Sequence, residues 1–299
     1  MSRFQFEKYL KPYEILEGAI DMHYHAAPDV FERPLDEIDV AKRVREIGYR
    51  AFLFKGHATM TVDRAYLVNK IIGADENFQV YGGIVLNQFV GGINPDAVDA
   101  AIRLGAKMVW MPTIHAENHL KTHGAGYSFS SVKVKAVKGI AVLDEGGNLI
   151  PEVIEILEMI AHADIAIGTA HLSYEERQAF VKAAFDAGVK KVIVTHAEAD
   201  FVNCSIEEQK QLADMGAIIE HSGGTAFQDF GNMAPERAKA IKAVGAERCI
   251  IATDLGQEMN PVPWEGMRLY VRALLKQGIS MNEIDVMLKE NTAKLLGLK

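Results

Sequence analysis

Histidines placed at the ends of apolar runs carry most of the chemistry in this sequence. Asp21-Met22-His23-Tyr24-His25 follows directly on the apolar run 15–20. On a strand, successive side chains point to opposite faces, so His23 and His25 share one face with their imidazoles close enough to hold one ion. Five further runs end the same way: His57 after 51–54, His115 after 108–111, His171 after 165–167, His196 after 192–194 and His221 after 217–219. A seventh run, 249–253, ends in Asp254. Neutral imidazoles and a carboxylate are what a catalytic zinc or a related divalent ion takes as ligands, with one position left open for water.

These residues can act together only if the fold gathers the run ends. Short runs rich in Val, Ile and Phe alternate with amphipathic stretches of Ala, Leu and charged residues, the pattern of a parallel sheet with crossover helices. The strands begin near Gly18, Tyr49, Phe78, Ala106, Asp164, Lys190, Gly216 and Arg248. Most repeats are about 26 to 32 residues long, which predicts an α/β fold of the closed, eight-stranded (β/α)8 TIM barrel type. The first strand ends in His rather than in Gly-x-Gly, which argues against an open dinucleotide-binding sheet. In a barrel, side chains at the carboxyl ends of the strands converge on one mouth.

Helix signals agree. The segment 35–47 has helical spacing and stops at Gly48, Ser173-Tyr174-Glu175-Glu176 reads as a capping box with Gly188 closing its helix, and Pro151, Pro235 and Pro263 stand at expected first helical positions. The fourth repeat distorts the pattern, running to about 57 residues where the others need about half that. Its excess, 115–150, contains a Gly- and His-bearing loop at 119–131 and an expected β-hairpin built from 139–143, a turn at 144–148 and 149–150. Loops after barrel strands lie on the catalytic face, so this insertion is expected over the site. The reading is one domain over 1–299, with an arm at 1–17 and closing helices at 281–299.

The chain has 299 residues, 49% of them hydrophobic and 24% charged, with a formal net charge of -8 and no basic run. That balance excludes nucleic acid and anionic membranes as expected partners. Cys204 and Cys249 are the two cysteines, read as reduced, packed thiols. The segment 1–17 lacks the apolar core of a signal peptide, and no stretch reaches the roughly 18 apolar residues of a membrane helix. A cytoplasmic protein is expected. Phe4, Phe6 and Tyr9 in the arm point to a homo-oligomer.

The ordered set His23 and His25 in DMHYH, His171 in GTAHLS, His196 in VTHAEAD and Asp254 in IATDLGQ resembles the amidohydrolase superfamily, whose members carry His-x-His after strand one, His after strands five and six and Asp after strand eight. The tail 290–298 resembles that superfamily's closing helix. The resemblance implies one or two divalent ions, most readily Zn(II), held by His23, His25, His171, His196 and Asp254, with His115 and Glu117 as further candidates. It also implies hydrolysis of an amide, lactone or related ester bond in a small molecule, with Asp254 as proton shuttle and His196 and His221 beside the reacting carbonyl. Many members bridge two ions with a carboxylated lysine after strand four. This sequence has no lysine there until Lys121, and Glu117 could bridge instead.

Lys55 and His57 share parity in FLFKGH, so a mouth-facing His57 puts Lys55 in the barrel, against Asp21 or a substrate anion. Lys55, His57 and His221 are the expected substrate-binding residues. Lys55 with Arg237 or Arg268 leaves open a second reaction class, decarboxylation or hydration of a carboxylated substrate. A non-catalytic metal- or ligand-binding barrel is the third reading.

Overall fold

Parallel strands buried on both faces need continuous apolar runs, and the runs seen in the sequence supply them. The computed structural model describes residues 13–124, 138–223 and 230–298. Eight strands follow one another in spatial order: β1 (Ile20–Tyr24), β2 (Ala51–Phe54), β3 (Gln79–Val85), β4 (Met108–Trp110), β5 (Ala166–Gly168), β6 (Val192–Val194), β7 (Ile218–Ser222) and β8 (Cys249–Ala252). Each is parallel to the next. The ring is closed just past β8, where Asp254 N donates to His23 O at 2.8 Å and His25 N donates to Leu255 O at 2.9 Å.

Helices cover the outside: α1 (Glu37–Ile47), α2 (Val62–Ile72), α3 (Pro95–Arg103), the insertion helix α4 (Glu117–His123), α5 (Pro151–Ala163), α6 (Tyr174–Asp186), α7 (Ile206–Asp214), α8 (Phe230–Val244) and α9 (Pro263–Lys276). The (β/α)8 barrel expected from the repeats is the fold observed. α1 ends on Gly48 at φ 97°, and α6 opens with the capping box of Ser173 and Glu176. Pro151 and Pro263 stand in the first turn of their helices, but Pro235 lies inside α8, where its missing N–H removes one backbone bond. The tail packs back as α10 (Met281–Asp285), a π-helical turn and α11 (Asn291–Leu296). Asn291 Nδ2 donates there to the carbonyls of Ala246 and Cys249. Among the described residues no helix is long and apolar enough to cross a membrane.

The insertion departs from expectation. Where a loop is read from 119 onward, Glu117–His123 is helical. The expected hairpin is reduced to one antiparallel bridge, Leu143 to Leu149, around a turn in which Asp144 Oδ1 accepts from Gly146 N and Asn148 N. Asp144 N donates to Asn148 O and Ile150 N to Val142 O across it, while Ile140 N donates to His115 O and Glu117 N to Ile140 O, which ties the segment to the end of β4. Residues 125–137, and Phe4, Phe6 and Tyr9 of the arm, lie outside the described residues.

Candidate metal centre

Alternation along β1 aims Asp21, His23 and His25 into the barrel, and all three are buried. His23 Nε2 lies 3.0 Å and His25 Nε2 3.3 Å from Asp254 Oδ1. One donor atom from each residue falls within 4.8 Å of the others. The segment carrying Asp254 is pressed against β1: a Cβ on Gly256, at φ 121°, would sit 1.9 Å from His25 O, so only glycine fits. Asp254 itself stands at φ 51° and His196 at φ 33°, left-handed backbone that costs energy and is held by the surrounding packing.

His171 and His196 complete the inner face. Their ring centroids are 4.9 Å apart, and the His196 ring is 5.5 Å from that of His23. His171 Nδ1 is 2.9 Å from His119 Nδ1 on α4, so the nitrogen His171 can offer an ion is Nε2. The same helix holds the backbone behind that ring, with Asn118 Nδ2 donating to the carbonyls of His171 and Phe201. His25 Nδ1 and His196 Nδ1 are buried with no hydrogen-bond partner among the described residues.

Electrostatics fit a cation at this point. Burial holds His25, His171 and His196 well below the usual imidazole pKa, which keeps them neutral. Burial opposes ionisation of Asp254 too, but contact with His23 outweighs it and holds the carboxylate far below its usual range. Neutral imidazoles and an ionised carboxylate are the protonation states a metal requires. His23 is the exception: burial pulls its pKa down, yet Asp254 and Glu220 together lift it to about 9.

Glu220 was not singled out from the sequence. Its Oε1 accepts from His23 Nδ1 at 2.8 Å and from His196 N at 3.1 Å, which turns His23 so that Nε2 faces Asp254. The signal was there in strand parity. In Ile218-Ile219-Glu220-His221 only one of the last two can enter the barrel, and it is Glu220. His221 therefore points to the helix-covered face, its Nδ1 2.5 Å from Glu198 Oε1 and its Nε2 3.3 Å from Cys249 Sγ. The structure does not bring it to the cluster as a catalytic or substrate-binding residue.

Lys55 does enter the barrel, and its partner is not Asp21. Its Nζ lies 2.9 Å from His23 Nε2 and 5.5 Å from the centre of the Trp110 ring. Asp21 instead accepts from Thr253 Oγ1 at 2.6 Å and from Thr253 N and His23 N. His57 stacks on His25 with ring centroids 4.5 Å apart, and its Nδ1 meets Thr113 Oγ1 at 3.0 Å. The remaining candidates stay outside. His115 packs on Phe89 and accepts from Gln88 N, while Glu117 is 41% exposed and paired with Lys121 at 2.7 Å. Arg237 is taken by Ser222 O and Arg268 by Glu265. The residues that fit one divalent ion are thus His23, His25 and Asp254, with His171 and His196 facing them.

Residues 18–220 match the model of a family described as of unknown function, DUF6282. The chain belongs to that family. The matched part of this DUF6282 protein spans β1 into β7 and includes all four inward histidines but not Asp254. No curated protein matches it. Among solved structures its barrel is similar to an amidohydrolase from Pseudomonas aeruginosa, at 17% identity over 96% of this chain and 98% of that one, with a TM-score of 0.64. A putative 2-pyrone-4,6-dicarboxylic acid hydrolase from Pseudomonas putida is similar at 15% identity, covering 94% and 97%, with a TM-score of 0.56. A 2,6-dihydroxybenzoate decarboxylase from Rhizobium is similar at 10% identity, covering 94% and 99%, with a TM-score of 0.52. These neighbours are amidohydrolase-superfamily enzymes, and at such identities what they share with the DUF6282 chain is the fold.

Proposed function

We propose that this protein is a metal-dependent hydrolase acting on an amide, lactone or related ester bond of a small molecule. The observation that carries the reading is the convergence of His23 Nε2, His25 Nε2 and Asp254 Oδ1 at the mouth of the barrel. Zinc is the ion this N,N,O set suits best. An ion held by these residues would supply a Lewis acid and would lower the pKa of a water beside it toward about 7. The protein does the rest. Asp254, kept ionised, accepts the proton of the attacking water at its carboxylate and returns it to the leaving group. His171 and His196 present neutral imidazoles to the other side of the reacting centre, and Lys55 and His57 bind the substrate. Free, buried Cys204 and Cys249 support a cytoplasmic setting.

Replacing Asp254 by Asn keeps the side chain's shape and removes its basicity. Turnover on a panel of lactones, amides and esters should fall by at least about a hundredfold while metal is retained. Near-normal turnover with metal in place would overturn the mechanism. A second reading, decarboxylation, is favoured by the ammonium of Lys55 inside the barrel, a seat for a substrate carboxylate. Release of carbon dioxide from an aromatic carboxylate without hydrolysis of any panel compound would select it.

A further inference from the structure

Five donors of the kind gathered here can serve one ion or two, and the group standing among them decides which. Two-ion centres hold their cations about 3.5 to 4 Å apart. At that distance two dications repel strongly, and an anion between them is what offsets the repulsion. Glu117, the carboxylate expected to bridge, lies at the surface of α4 on Lys121. The buried carboxylates at this depth are Asp21, Glu220 and Asp254, and the first two are occupied by Thr253 and by His23.

The group that does stand among the donors is a cation. Lys55 is 2% exposed, and its Nζ is 2.9 Å from His23 Nε2, the same atom that meets Asp254 Oδ1 at 3.0 Å. A buried ammonium is costly unless anions stand near it, and the nearest carboxylates, Asp254 and Glu220, both meet the same His23 ring. Resting on the metal-centre reading above, we propose that Lys55 is the built-in second cation of this site, so that the centre holds a single ion and its ammonium takes the place of another. A second dication would have to enter beside the lysine with no bridging carboxylate among the described residues.

The test is metal content per chain, measured by plasma mass spectrometry after loading with excess Zn(II) and removal of loosely held metal. Wild type should hold one ion. Lys55→Met, which keeps the length and removes the charge, should admit a second ion or tighten its binding by at least about tenfold, while Lys55→Arg stays at one. Two tightly held ions in wild type, or a Lys55→Met protein that folds by circular dichroism yet stays at one ion with unchanged second-site affinity, would overturn the proposal. Should Lys55→Met fail to fold, the wild-type count and the Lys55→Arg protein still decide it. If wild type holds no more metal than His23→Ala, the metal-centre reading itself fails, an outcome distinct from a wrong ion count.

Discussion

At the scale of single residues, the bond between Glu220 and His23 sets the geometry of the centre. Accepting the Nδ1 proton fixes which nitrogen of His23 is left for an ion, and it raises the basicity of that nitrogen. Glu220→Gln keeps an oxygen for His196 N but loses the charge. Metal affinity, measured by competition with a chelator, should fall by roughly 10- to 100-fold with the fold intact; an unchanged affinity would show that the bond is packing only. His23, His25 and Asp254 were legible in the sequence because one-residue alternation and run ends report on strand geometry directly. His221 and Glu220 were not told apart because a run end fixes depth along a strand and says nothing of which face a side chain takes.

At the scale of elements, the short helix α4 does more than decorate the barrel. Two consecutive residues act on one loop: Asn118 bonds the carbonyls of His171 and Phe201, and His119 meets the His171 ring. Asn118→Ala leaves those carbonyls without their donor, and unfolding by denaturant should show a loss of about 1 kcal/mol. No measurable loss would mean that water replaces the amide. The strands were readable because each is an apolar run bounded by turn residues. The helix and the shortness of the hairpin were not, since Ile140 pairs with the end of β4 and a distant partner of that kind leaves no local periodicity.

At the scale of the whole molecule, stability should carry a pH signature from outside the centre. Glu37 is buried at the start of α1, and that burial raises its pKa to about 7 although Arg64 pulls the other way. The folded state therefore binds this proton more tightly than the unfolded chain, whose carboxyl sits near 4.5. Its contribution is full below about pH 4.5 and is lost as the pH rises through about 7, a change on the order of 3 kcal/mol. Glu37→Gln should flatten the stability curve across that window, and an unchanged slope would point to another group. The barrel itself was legible because eight similar repeats leave few ways to close a sheet; the local structure of the long fourth repeat was not, because it obeys no period.

The candidate ligands lie at positions 23, 25 and 254, and β1 meets the segment after β8 at the same bonds that bring them together. A chain leaving the ribosome thus carries half a site for most of its synthesis and completes it only when the ring shuts. Metal captured by this trio would for that reason be a record of closure: a nascent or clipped chain lacking residue 254 would have the histidines without the carboxylate that joins them.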